Sequence, residues 1–211
     1  MTTTTTLMDE LGDLMDQGID PREHEAELRA KYGRTCAVLV LDSSGFTRTT
    51  REHGIMHVLG KLQQMREVIL PILDAHGCQE SILEADSVIA LLPDVESALD
   101  VVLETADGIC RRGIMFTQER PYRIGAGIGY GELLITGGHG EYFGPEINLA
   151  SLLGEDTAQA NQLLITKAAY ASLPEERKST FRKGAEIISG LDIDFHALVM
   201  EERSGLLPCV Q

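Results

Sequence analysis

The order of apolar runs and chain breakers predicts an α+β fold: a split βαβ core with additions, in which an antiparallel-rich sheet carries helices on one face. Three observations predict it. Ala37-Val38-Leu39-Val40-Leu41 is a branched, apolar run that reads as a buried strand delivering Asp42 at its end, before the polar turn Ser43-Ser44-Gly45. Two further short strands, 79–84 and 87–92, flank Asp86 in the pattern of a hairpin tip. Two long stretches with helical period, 47–75 and 95–116, separate these runs and offer inward faces: Leu59, Leu62, Met65, Val68, Ile69 and Ile72 on the first, Ala98, Val101, Val102, Thr105, Ala106 and Ile109 on the second.

Taken in order, the chain begins with a Thr run, Met1 to Thr6, that is expected to be disordered. A short helix follows with Leu7, Leu11 and Leu14 on one stripe, interrupted by Gly12 and ended near Gly18. Asp20, Pro21 and Glu23 have the spacing of a helix start, and that helix should stop at Gly33. The apolar residues of this region predict packing on the domain or on a partner chain. The 47–75 helix should break or bend near Gly54 and Gly60, with a kink at Pro71. After the 95–116 helix, a strand from Tyr122 to Ile128 is expected to turn at Gly129-Tyr130-Gly131 and resume over Glu132 to Ile135. A Gly-rich loop, 136–144, precedes a helix that starts in Pro145 and carries Asn148 in its first turns. A strand at Leu163-Leu164-Ile165, a helix from Lys167 to Leu173, and closing strands at 185–188 and 193–200 complete the reading.

The 211 residues, 43% of them apolar, suffice for one domain. The expected division is an N-terminal helical extension (1–33), a main domain (34–200) and a tail (201–211). Eighteen basic residues against thirty-three acidic ones give a net charge of -15, which argues against nonspecific binding of nucleic acid or anionic membrane. It leaves a nucleotide substrate open, because a divalent ion can bridge protein carboxylates and phosphates. The four widely spaced cysteines, with no signal peptide and no membrane-spanning run, point to a cytoplasmic setting.

The sheet plan puts Asp42 beside Asp86. Carboxylates that approach each other repel unless a cation sits between them, and oxygen-only ligation suits Mg²⁺ or Mn²⁺ bound to triphosphate oxygens. Residues Ser43, Ser44, Gly45, Phe46 and Thr47 would present backbone amides at a helix start, where phosphate is favoured. The alternative is that each aspartate caps its own turn. His53 and His57 lie four apart, but no nearby ligand completes a zinc set. Gly137, Gly138 and Gly140 lack the Lys-Ser/Thr of a P-loop and read as an arm tip.

Val40-Leu41-Asp42-Ser43-Ser44-Gly45-Phe46-Thr47 resembles the strand, metal aspartate and Gly-Phe-Thr turn of class III nucleotidyl cyclase catalytic domains. The stretch 77–92 resembles that family's hairpin, with Asp86 at its second metal aspartate. Gly127-Ile128-Gly129-Tyr130-Gly131-Glu132 resembles the strand before its dimerisation arm, and Gly144-Pro145-Glu146-Ile147-Asn148-Leu149-Ala150-Ser151 the helix that carries its catalytic asparagine. The resemblance covers roughly 34–200 and implies the nucleotide cyclase fold, with a ferredoxin-like core. It implies a homodimer with composite sites: metal ligands Asp42 and Asp86 from one chain, Asn148 from the other, Mg²⁺ or Mn²⁺ as cofactor, and conversion of a nucleoside triphosphate to a 3′,5′-cyclic nucleotide and pyrophosphate.

The chain departs from the family pattern at several places. Leu152 stands where an arginine stabilises the transferring phosphate, and Ile82 where a lysine or glutamate reads the purine. The second base-reading position falls around Glu141, in an arm that is short. Ser189 stands where a phosphate-binding lysine is expected, with Lys183 as the nearest lysine. Two functions therefore remain: a divergent cyclase, or a degenerate cyclase-like module for nucleotide sensing or dimerisation in signalling.

Overall fold

The computed structural model describes residues 5–136, 141–188 and 190–200. Strand β1 (Gly33–Ser43) is central. It pairs along its whole length with β4 (Ile124–Ile135) and on its other side with β3 (Ser87–Leu92), which forms a hairpin with β2 (Glu80–Glu84). Beyond β4 come β6 (Gln162–Thr166), β8 (Leu191–Val199) and β7 (Arg182–Ile188), giving the order β2-β3-β1-β4-β6-β8-β7; the short β5 (Tyr142–Phe143) pairs with β4. All neighbours are antiparallel except β4 and β6. Among the described residues no helix is long and apolar enough to cross a membrane.

Alternation along β1 sorts its residues onto two faces. Ala37, Leu39 and Leu41 meet the long helices α4 (Ile55–Ala75) and α5 (Val95–Arg111), whose Leu62, Met65, Ile69, Leu99 and Val102 are buried against them. Each such side chain contributes about 1.5–3 kcal/mol on burial, so this layer is the main source of stability. Asp94 caps α5 by accepting from Ser97 N at 2.7 Å. Cys36, Val38 and Val40, and by the same alternation Asp42, face the other way, towards α6 (Pro145–Ser151).

Several local expectations give way to tertiary structure. The helix α1 (Leu7–Asp16) runs through Gly12, and Thr6 closes its start as a capping box with Asp9; positions 1–4 lie outside the described residues. Asp20 and Pro21 open a 3₁₀ turn (Pro21–His24) before α2 (Glu25–Tyr32). That helix stops at Gly33 as expected; Gly33 enters β1 in extended conformation, and a Cβ there would collide with the Arg29 carbonyl. Gly54, at φ +84°, divides the first long helical stretch into α3 (Phe46–His53) and α4, whereas α4 continues through Gly60 and Pro71. The second ends at Arg111, short of Phe116. The N-terminal helices are tied to the sheet by Leu7 N donating to Thr136 O at 3.0 Å and by the ion pair of Arg29 with Glu132.

The largest correction is at 129–131. The glycines do not turn the chain, and β4 is one strand of 12 residues. Gly125, Gly127, Gly129 and Gly131 share one face, and α6 with the following π-helical turn (Leu152–Thr157) lies directly on it. A Cβ on Gly129 would come 2.5 Å from the Glu146 carbonyl, and one on Gly127 would overlap the Ala150 carbonyl. Gly127→Ala should therefore destabilise the protein by roughly 3 kcal/mol in urea denaturation, the scale of a badly overpacked core. Gly60→Ala, where an added Cβ meets nothing within 4 Å on an exposed helix face, should stabilise it by about 0.5–1 kcal/mol.

Candidate active site

Strand register brings the two aspartates together. Leu41 lies opposite Val88, and Glu84 opposite Ser87, so the two-residue turn Ala85-Asp86 projects beside the end of β1. Ser87 donates its hydroxyl to Asp42 Oδ1 at 3.4 Å, and the Asp86 charge lies close enough to act on the Asp42 carboxyl. Burial first, then the neighbouring Asp86 charge, push the Asp42 carboxyl up to about 6. Burial also raises Asp86, and Glu155 on the π-helical turn adds negative potential there.

The following turn is built for close approach. Ser43 is buried; its hydroxyl donates to Asp86 O at 3.2 Å and hydrogen-bonds to Tyr122 Oη. Ser44 N donates to Arg123 O at 2.9 Å, and Gly45 adopts φ +97°, a left-handed conformation that favours glycine. Helix α3 begins at Phe46 without a side-chain cap, so the amides at Phe46 and Thr47 face no capping side chain.

Asn148 is not part of this cluster within one chain. Its neighbours Ile147 and Ala150 are buried on the sheet while Asn148 is exposed, and among the described residues it hydrogen-bonds to neither aspartate. Glu146 sets the helix: it accepts from Tyr130 N at 3.1 Å and from Thr166 Oγ1 at 2.6 Å, where β6 leaves β4 after Ile128. Leu152 packs on the small cluster of Leu153, Leu164, Ile193 and Phe195. Ile82 lies opposite Ile89, and both pack against the apolar face that holds Val38 and Val40. Glu141 accepts from Thr136 Oγ1 at 2.8 Å. Lys183 lies on β7 at the far edge of the sheet; Ser189, Gly137, Gly138 and Gly140 lie outside the described residues.

Other candidates recede. His57 Nε2 lies 2.6 Å from Phe116 O, and among the described residues no group of three or more His, Cys, Asp or Glu could hold a metal. Arg48 is engaged by Glu52 at 2.8 Å. Sequence reasoning missed Glu146, Tyr122 and Arg66, the last of which donates Nη2 to Ala85 O at 3.0 Å. Arg66 left a signal: it sits on the inward stripe of α4, four residues after Leu62 and three before Ile69.

The pair fits a divalent cation. Two half-buried carboxylates whose burial disfavours the charged form of each, and of which Asp86 further opposes ionisation of Asp42, gain from a positive charge between them. Mg²⁺ commonly takes one or two carboxylates and completes its shell from water and phosphate oxygens, so an open pair suffices where a closed protein cage is absent.

No family model and no curated relative matches the chain. Solved structures do match it. An adenylate/guanylate cyclase/hydrolase from Silicibacter pomeroyi superposes with a TM-score of 0.67 at 21% identity, covering 79% of this chain and 97% of that one. The chain has the fold of class III nucleotidyl cyclase catalytic domains. The dimeric guanylyl cyclase domain of the RhoGC fusion protein from the fungus Blastocladiella emersonii gives 0.62 at 16% identity, covering 79% and 97%. Adenylate cyclase from Trypanosoma brucei, in its monomeric state, gives 0.64 at 16%, covering 81% and 90%. At these identities the likeness is one of fold.

A pH and metal experiment tests the carboxylate pair of this cyclase fold. The folded-state value of Asp42, about 6, lies above its ordinary 3.8, so the proton it retains favours folding in acid, and that contribution is lost as pH rises from about 4 to 6. Metal-free protein should lose stability across this window more steeply than Asp42→Asn. Mn²⁺ should raise the Tm at pH 7.5, by the equivalent of about 2.7 kcal/mol at 100 times its Kd, and far less at pH 4.5.

Proposed function

We propose that the chain is a divergent nucleotidyl cyclase that works as a homodimer and converts a nucleoside triphosphate to a 3′,5′-cyclic nucleotide and pyrophosphate. The observation that carries this reading is the register that sets the Ala85-Asp86 tip beside Asp42 at the end of β1, joined through Ser87 and Ser43, on the fold of nucleotidyl cyclases. Asp42 and Asp86 would hold Mg²⁺ or Mn²⁺, which when bound lowers the pKa of the ribose 3′-hydroxyl and offsets triphosphate charge. The amides of Gly45, Phe46 and Thr47 would donate to phosphate oxygens at the start of α3, whereas the Ser44 amide is already committed to Arg123 O and Ser43 belongs to β1. Asn148 of the partner subunit would orient the ribose, in keeping with the outward position of Asn148 on α6. The 3′-oxygen bonds to the α-phosphorus, the bond from that phosphorus to the β-bridging oxygen breaks, and the hydroxyl proton passes to solvent as pyrophosphate leaves.

A second reading, a noncatalytic nucleotide-sensing or dimerisation module, is favoured by Leu152, whose side chain joins an apolar cluster in the place of a charged donor. Ile82, packed beside Ile89, offers no hydrogen bond to a base. Incubation with ATP, GTP, CTP and UTP in Mn²⁺ separates the two readings. A cyclic monophosphate from at least one, lost by about 10²-fold or more in Asp42→Ala, is the expected result; no product from any of the four, with nucleotide still bound, supports the module. On the enzyme reading, Leu152→Arg should raise kcat by about tenfold or more while lowering the Tm, because the arginine leaves the cluster around Leu153.

A further inference from the structure

The β2–β3 tip carries more restraint than a two-residue turn requires. Ala85 holds φ +48°, a conformation that costs a non-glycine residue on the order of 1–3 kcal/mol and persists only when its surroundings enforce it. Two side chains from distant elements grip the carbonyls of this turn. Arg66, from α4, donates Nη2 to Ala85 O at 3.0 Å. Ser43, from β1, donates Oγ to Asp86 O at 3.2 Å; its one proton is thereby committed, so the Tyr122 hydroxyl donates to Ser43 in turn. Tyr122 is 3% exposed and its ring stacks on Phe116 at 4.3 Å, which fixes the hydroxyl. Arg66 is held at a cost: its Nε is buried without a hydrogen-bond partner among the described residues. An arginine serving only solubility would extend into water and avoid that cost.

The need for restraint is physical. β2 is an edge strand, and the two carboxylates beside the tip push apart when no cation lies between them. Mg²⁺ binding tolerates little displacement, since its oxygen ligands must lie at about 2.0–2.1 Å in near-octahedral array. We propose that Arg66 and the Tyr122–Ser43 pair clamp both carbonyls of the Ala85-Asp86 turn and so set the spacing of the Asp42 and Asp86 carboxylates. Arg66 and Tyr122 are then positioning residues for divalent cation binding. This inference rests on the cyclase reading above and adds to it the part of the chain that prepares the metal pair before any nucleotide arrives.

The test combines calorimetric titration of the full chain with Mn²⁺ at pH 7.5 and hydrogen exchange of the tip amides in metal-free protein. Arg66→Met and Tyr122→Phe should each speed exchange at Asp86 and Ser87 and raise the Kd for Mn²⁺ by about tenfold, the lower end of what lost support behind a metal ligand costs. Arg66→Lys should recover most of the affinity, because an ammonium can still donate to the Ala85 carbonyl. Val101→Ala, a change in the buried core on α5, should lower the Tm while leaving the Mn²⁺ affinity unchanged. Mn²⁺ binding by the parent chain that neither Arg66→Met nor Tyr122→Phe weakens overturns the clamp alone, as does tip exchange that neither variant speeds. A parent chain that binds no Mn²⁺ overturns the metal reading of the pair and the positioning role with it.

Discussion

The burial of Asp42 and Asp86 side by side, at the end of β1 and the adjoining hairpin tip, is the constraint on which the rest of the site depends. A strand end and a hairpin tip would not by themselves hold two half-buried carboxylates close together, because separation relieves both the Coulomb energy at Asp42 and part of the desolvation. The sheet opposes that separation. β1 is paired on both sides, with β3 and with β4, so Asp42 cannot withdraw without breaking ladder hydrogen bonds. The hairpin partner is secured through its turn carbonyls and through the Ser87 hydroxyl on Asp42. The resulting site is destabilised while empty of positive charge, and a divalent cation bound there would recover that energy as affinity.

The second face of the sheet depends on the absence of side chains. Along β4 the glycines at 125, 127, 129 and 131 let α6 and the π-helical turn rest against the backbone of the sheet, and Gly154 similarly meets Val40 O, from which a Cβ would be only 2.6 Å away. That approach brings the Glu146 carboxylate within reach of Tyr130 N, which lies beyond the last β4–β6 pair at Ile128. The helix is thereby anchored at its start, with its buried residues inward and Asn148 outward. A chain with its sheet covered in this way offers Asn148 to whatever docks against that face, which suits a composite site between two subunits.

Much of this was legible in the chain, for reasons that differ from residue to residue. The run Ala37 to Leu41 reads as a strand because its burial is periodic and local, and Asp42 stands out because it interrupts an apolar series. Asp86 is legible because a two-residue gap between strands leaves room only for a turn. The glycines of β4 were misread as breakers: a glycine that avoids collision with a helix 20 residues later has the same local signature as one that turns the chain. Gly33 was read correctly as the place where the helix stops, although what requires glycine there is the nearby Arg29 carbonyl. Tyr122 and Glu146 act through partners that only folding brings near, and nothing in their sequence neighbourhood marks them. Arg66 is intermediate, since a charge on the inward stripe of a helix must find a buried acceptor or be expelled.

On the cyclase reading, charge explains how the carboxylate pair and Leu152 can coexist. With a net charge of -15, the chain repels a free triphosphate, and Asp42, Asp86 and Glu155 add to that repulsion locally. Arg48, the cation nearest in sequence to the turn after β1, is paired with Glu52, which also takes Arg120. In a cyclase that has an arginine at the position of Leu152, part of the phosphate charge is met by protein. On the cyclase reading a cation here would carry a larger share, so nucleotide affinity and catalysis would both be more tightly coupled to divalent metal than in a fully equipped site. The loss of the arginine would then increase the demand on the geometry of Asp42 and Asp86, and a rigid hairpin tip becomes the feature on which the remaining chemistry depends.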